Sequence, residues 1–232
     1  TTLRGRVRAV STHATESTGT DWALGATAPG AAADAVALHR LDIEWTPIAA
    51  ATTVAAALGL ASDGSRDGVT YALDEQDWWF RAVIPPAQET AGERWLRCDG
   101  LATLADLWLD GQHLLSSSTM FAAQDVRLPS DDRAHELVMR FRALGAELSQ
   151  KRPRPRWRVP MLQQQQLRWF RSTLLGRTAG WSPAWPAVGP WRPLRVERRT
   201  GFDVADLQLH CSADGALRVG LGLRSIDGAQ LS

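Results

Sequence analysis

An all-β sandwich is the fold this sequence predicts, and three observations carry the prediction. Short runs of alternating apolar and polar residues recur along the chain, turn signals such as Asp110-Gly111 and Ala213-Asp214-Gly215 fall between them, and helix signatures are scarce. A chain of 232 residues with 44% apolar content can bury a full core, and it has room for one large β-domain plus a remainder.

Taken in order, residues 1–20 are polar and rich in Ser and Thr, which reads as a frayed start. A first strand begins at Asp21-Trp22-Ala23-Leu24 and stops at Pro29-Gly30. The Ala-rich stretch 30–38 reads as loop or strand edge, and residues 41–47, with Leu41, Ile43 and Trp45 alternating, read as a strand ended by proline. Thr53 before Val54-Ala55-Ala56-Ala57-Leu58 and Gly59 has the form of a capped short helix. A Ser/Asp/Gly-rich loop follows at 61–68.

From Asp77 the β signal is dense. Residues 77–84 stop at Pro85-Pro86, and 94–98 alternate with the period of a half-buried strand. Residues 104–109 and 112–115 flank the Asp110-Gly111 turn, and 121–128 and 136–142 supply two more strands. Residues 144–157 break the pattern with a basic, proline-interrupted stretch, and a long connection through Gly180-Trp181-Ser182-Pro183-Ala184-Trp185-Pro186 leads to a closing strand at 191–197. Residues 204–211 and 217–226 then form a second alternating pair, too small to bury a core alone.

Charge narrows the function classes. Lys and Arg number 26 against 25 Asp and Glu, a formal charge of +1, so no global field gathers nucleic acid or an anionic membrane. No apolar run reaches the roughly 20 residues of a membrane span, and the first residues lack a secretory signal, which leaves cytoplasmic and periplasmic locations both open. Two cysteines, Cys98 and Cys211, are too few for a disulfide framework and read as thiols. Five scattered histidines lack metal-ligand spacing, so neither a metal nor another cofactor is expected. The composition stands out only in its 11 Trp against 1 Tyr and 5 Phe, which suits a sandwich core or a surface on which sugar rings stack.

Several segments occur together, in order: Asp77-Trp78-Trp79-Phe80-Arg81, the stretch from Cys98-Asp99-Gly100 to Asp110-Gly111-Gln112, Met120-Phe121, Glu136-Leu137-Val138-Met139-Arg140-Phe141-Arg142, and Gly189-Pro190-Trp191-Arg192-Pro193. Over roughly residues 20–199 the chain resembles the N-terminal domain of β-mannosidases of glycoside hydrolase family 2. The resemblance implies a galactose-binding-like jelly roll over residues 1–199 and, over 200–232, the first strands of an immunoglobulin-like sandwich. It also implies a C-terminal (β/α)₈ barrel of the same polypeptide as partner, which carries the two glutamates of a retaining glycosidase outside these residues. On that reading this chain is a non-catalytic sugar-binding scaffold, inactive by itself, and its ligand is a β-mannoside or related glycan. The alternative is a free-standing carbohydrate-binding module. Many β-mannosidases carry a Gly-Trp-Asp-Trp-Gly-Pro motif in the long loop; the matching stretch here keeps Trp181 and Trp185 and lacks the aspartate.

The residues themselves name few chemical candidates. Asp74, Glu75, Asp77 and the Asp131-Asp132 pair read as turns and caps rather than a catalytic pair, so no catalytic residue is assigned. The adjacent Trp78 and Trp79 must point to opposite sides of a strand and read as core. Trp181 and Trp185 are the better sugar-binding candidates, with Arg168 and Trp169 behind them, because a Pro-rich loop has few reasons to carry aromatic faces unless they meet a sugar or a neighbouring domain. The run from Arg152 to Arg158, RPRPRWR, reads as an extended arm packing on the barrel rather than a nucleic-acid site.

Overall fold

The computed structural model describes residues 12–61, 65–153, 156–162, 164–178 and 185–226. They build an antiparallel β-sandwich. Its strands are β1 (Thr12–Glu16), β2 (Thr20–Thr27), β3 (Asp77–Ile84), β4 (Glu93–Cys98), β5 (Ala105–Leu109), β6 (Gln112–Ser117), β7 (Gln124–Leu128), β8 (His135–Phe141) and β9 (Leu194–Thr200). One sheet runs β6-β5-β8-β3-β2, with Thr46–Pro47 at its edge, and the other runs β1-β9-β4-β7.

Alternation along the strands puts the core between the sheets. Trp78, Phe80, Ala82 and Ile84 of β3 and Leu137, Met139 and Phe141 of β8 face Leu96 and Cys98 of β4 and Val196 of β9. Phe80 and Phe141 meet edge to face, 5.5 Å between centroids. The Trp78 indole donates to the Leu73 carbonyl at 2.9 Å, so burying this large side chain strands no donor.

The opposite face of the larger sheet is covered as well. Trp79, Trp108 and Val138 point away from the main core and pack with Ala32, Ala35, Leu38, Ile43 and Trp45. Trp79 and Trp108 stack at 5.9 Å, and the Arg140 guanidinium lies 5.4 Å from both rings. The two adjacent tryptophans thus serve two different cores, as strand geometry requires.

Three local expectations change. Residues 12–16, read as frayed, form the edge strand β1, because antiparallel pairing with β9 satisfies their backbone without needing apolar alternation. The Ala-rich stretch holds helix α1 (Ala35–Leu38), whose start Asp34 caps by accepting from the Ala37 amide at 2.7 Å. Within 41–47 only Thr46–Pro47 pairs as strand; the side chains of Ile43 and Trp45 pack onto Trp79 from irregular backbone. The helix expected after Thr53 is α2 (Val54–Leu58), capped as read.

Acidic residues taken for turn and cap chemistry hold elements together. Asp77 is buried and accepts from the amides of Ala143 at 2.7 Å and Gly30 at 3.0 Å, tying two loops to the start of β3. His135 opens β8 with its side chain 1% exposed; Nδ1 meets Asp110 and Nε2 meets Asp131, each at 2.7 Å. The two aspartates thus hold the His135 ring from both sides. Asp110 also accepts from the Glu136 amide at 2.8 Å, which locks the Asp110-Gly111 turn against β8.

After β9 the chain forms a hairpin, β10 (Phe202–Cys211) and β11 (Leu217–Ser225). Its cross-strand pairs Leu207–Leu221, Leu209–Val219 and Cys211–Leu217 stand on one exposed face. Arg224 fastens it to the sandwich through both oxygens of Glu93, at 2.9 and 2.8 Å.

Candidate functional site

The long connection between β8 and β9 builds one wall of an apolar cleft. It starts with α3 (Leu144–Leu148), whose Leu144 and Leu148 join Leu104, Leu162 and Leu167 in a satellite core. A 3₁₀ turn, Gln165–Trp169, follows. There Arg168 donates to the Gln165 carbonyl at 2.7 Å and lies 4.4 Å over the exposed Trp157. Arg152, from the basic run, pairs with Glu147 at 3.3 Å and lies over Phe170 at 5.0 Å. Those contacts all lie within the connection, while Arg152 Nε and Arg168 Nη1 are buried without a hydrogen-bond partner among the described residues.

The chain then returns to the sandwich. Thr119 bridges to Arg171, the Met120 amide donates to the Arg171 carbonyl at 3.0 Å, and the Thr103 and Ser172 hydroxyls meet at 2.6 Å. The Arg177 side chain is 7% exposed and forks onto Asp74 at 2.7 and 2.8 Å. Gly176 lies so close to the Trp185 carbonyl that a β-carbon there would overlap it, and its φ of +76° is one that side chains resist. At the far end the Val54 amide donates to the Val188 carbonyl at 2.9 Å.

Between these fixed points lies a cleft of about 350 Å³, within the range of small-ligand sites. Trp185, Pro186 and Ala187 line it together with Thr173 and Leu175 of the same connection, and Thr53, Met120, Phe121 and Trp191 complete it. The Trp191 indole donates to the Met120 carbonyl at 2.6 Å and meets Phe121 edge to face at 6.2 Å. With that donor used internally, the cleft offers aromatic and aliphatic surface and two threonine side chains. Such a surface suits the C–H face of a sugar ring or an apolar side chain of a docking partner.

The candidates read from sequence divide here. Trp185 lines the cleft and packs its inner side against the main core. Trp181 lies outside the described residues. Arg168 and the half-exposed Trp169 sit on the 3₁₀ turn and do not line the cleft. Phe121 and Trp191 belong to segments that the sequence reading quoted without giving them a role. The pairing of Arg177 with Asp74 carried no local signal, since the two lie 103 residues apart, and Asp74 was read only as a turn or cap.

A second, polar cleft of about 370 Å³ gathers His13, Arg97, Asp125, Glu197, Arg199 and Asp203. Arg199 bonds Asp125 at 2.9 Å and Glu197 at 3.1 Å and approaches Asp203 at 3.6 Å. Burial pushes the Glu197 carboxyl up, but bonds from Arg199 and Arg195 outweigh it and hold the group below its ordinary value. A general acid of a glycosidase needs the opposite shift. Among the described residues no cluster of His, Cys, Asp and Glu is placed to hold a metal, and no helix is long and apolar enough to cross a membrane.

Comparison with known proteins places this geometry. Over 140 residues the chain is 31% identical to β-mannosidase B of Thermothelomyces thermophilus, a match covering 54% of this chain and 15% of that protein. The fold recurs in the β-D-mannosidase of Dictyoglomus thermophilum, with a TM-score of 0.65 at 13% identity over 92% of this chain and 26% of that one. It recurs also in a β-glucuronidase of Faecalibacterium prausnitzii, with a TM-score of 0.54 at 14% identity over 96% of this chain and 37% of that one. The chain thus spans a minor part of each of these relatives. The profile described as glycosyl hydrolase 2 galactose-binding domain-like matches residues 36–192, and by that match over most of its length the chain belongs to this family.

Proposed function

We propose that the chain is the non-catalytic N-terminal domain of a β-mannosidase-like family 2 glycosidase, that it buttresses a catalytic barrel, and that it lends the Trp185 cleft to the substrate pocket. The barrel would carry the two carboxyl groups of a retaining hydrolysis of β-mannosides or related β-glycosides. The cleft is the observation that carries this reading: Trp185 and Trp191 of the long connection gather there with Phe121 of the β6–β7 loop, and the same connection exposes Trp157, Met161, Trp169, Leu174 and Leu175. Exposed apolar groups in that number suit a large partner surface. The hairpin β10–β11, with one apolar face exposed, fits the opening of a second sandwich beginning near residue 200.

The test is an aryl β-mannoside assay on this chain alone, with a titration by mannose, mannobiose and galactose followed by tryptophan fluorescence. The proposal expects no turnover above blank and a sugar response weak or absent without the barrel. Robust hydrolysis would overturn it. Saturable binding abolished by Trp185→Ala would instead identify a self-sufficient carbohydrate-binding module.

A further inference from the structure

We infer that Arg177 is the positioning residue of the Trp185 cleft, acting as a clip that joins both ends of the loop to the sandwich; the inference rests on the reading of that cleft as the functional surface. The Arg177 guanidinium uses each of its nitrogens. Nε and Nη2 fork onto the two carboxylate oxygens of Asp74, at 2.7 and 2.8 Å. Nη1 donates to the Thr173 carbonyl and the Ser172 hydroxyl, both at 3.2 Å, and Nη2 also reaches the Ala187 carbonyl at 3.4 Å. Asp74 belongs to a 3₁₀ turn (Leu73–Glu75) whose Leu73 is part of the main core, so the anchor is rigid.

The loop therefore leaves and rejoins the sandwich through one buried cation. Thr173 on the outgoing part of the loop and Ala187 on the returning part both line the cleft, and Arg177 bonds the backbone of both. Gly176, immediately before it, admits the Trp185 carbonyl where no side chain would fit. Bidentate pairing to a carboxylate fixes orientation as well as distance, which a lysine ammonium cannot reproduce. The arrangement is built to hold Trp185 in one cleft with Trp191 and Phe121. Arg177 is absent from the cleft lining, so its effect on any ligand is indirect.

The experiment follows the Trp185 environment in the full chain, taken as the difference in acrylamide quenching between the parent and Trp185→Phe. In Arg177→Met the Trp185 component should become roughly twice as quenchable as the loop ends separate, while far-UV circular dichroism is unchanged. Arg177→Lys and Asp74→Asn keep part of the network and should fall between, in proportion to the bonds retained. An unchanged Trp185 component in a folded Arg177→Met protein would overturn the inference. Should that variant fail to fold, Asp74→Asn decides by the same criterion. Failure of the functional reading is seen separately, as robust hydrolysis of an aryl β-mannoside by this chain alone, whatever Arg177 does to quenching.

Discussion

Replacing Asp77 by Asn changes one heavy atom and tests whether two loops at the same end of the larger sheet depend on a single carboxylate. Each Asp77 oxygen accepts one backbone amide, Ala143 at 2.7 Å and Gly30 at 3.0 Å, and the side chain is buried. An amide side chain offers one acceptor and one NH₂, so one of those N–H groups would face another donor. A buried donor left unsatisfied costs about 1–3 kcal/mol, and the lost charge assistance adds to it, giving a loss of about 3 kcal/mol. For a domain of this size that corresponds to a fall in melting temperature of roughly 6–12 °C. Urea unfolding followed by tryptophan emission measures it, with Asp77→Ala losing at least as much because both amides are orphaned. Equal midpoints for Asp77→Asn and parent would show that water satisfies these amides and that the buried-acceptor reasoning is wrong.

Other expectations follow from the same contacts. The bond from His135, then Arg133, holds Asp131 below the ordinary carboxylate value; burial pushes Asp110 up, but bonds from His135 and the Glu136 amide bring it net below. Stability from depressed carboxylates is complete above the unfolded value of about 4 and is lost as pH falls through the folded ones. The gap in melting temperature between the parent and His135→Asn should therefore narrow on acidification from pH 5 to pH 2, and a constant gap would refute the coupling. Burial, with Asp125 and Asp99 nearby, pushes the Cys98 thiol up to about 12, whereas Cys211 is exposed. A thiol reagent at pH 8 should thus label one cysteine in the native chain and two in denaturant. Gly176→Ala meets both the Trp185 carbonyl and an unfavourable φ, so it should lower stability by more than the roughly 1 kcal/mol of a strained backbone alone, as read by urea unfolding. Arg224→Ala removes the fork onto Glu93 and should speed amide exchange in β10 and β11 while leaving β3 protected.

What the sequence revealed was whatever short-range pattern encodes. The Trp78-Trp79 pair had to split between two sides of a strand, Asp110-Gly111 had to turn, and Thr53 had to cap a helix; each needs only its neighbours. The edge strand β1 was hidden because its pairing partner β9 lies some 180 residues away and its own residues show no apolar alternation. The helix α1 was hidden in a low-complexity alanine run whose cap, Asp34, resembles any loop aspartate. In the candidate site, Trp185 was legible as an unexplained aromatic in a loop. The Arg177–Asp74 clip spans 103 residues, and nothing near either residue announces the other. Sequence patterns thus nominated a cleft wall and left its fastening unseen.

Strands β3 and β8 lie beneath the main core on one side and the Trp79–Trp108 layer on the other. Their peptide hydrogens are shielded above and below by side chains that belong to separate clusters, so neither cluster can loosen alone and admit solvent. Deuterium uptake at the central amides of Phe80 and Met139 should then track the free energy of complete unfolding, giving one intrinsic gauge against which every substitution in the molecule can be calibrated.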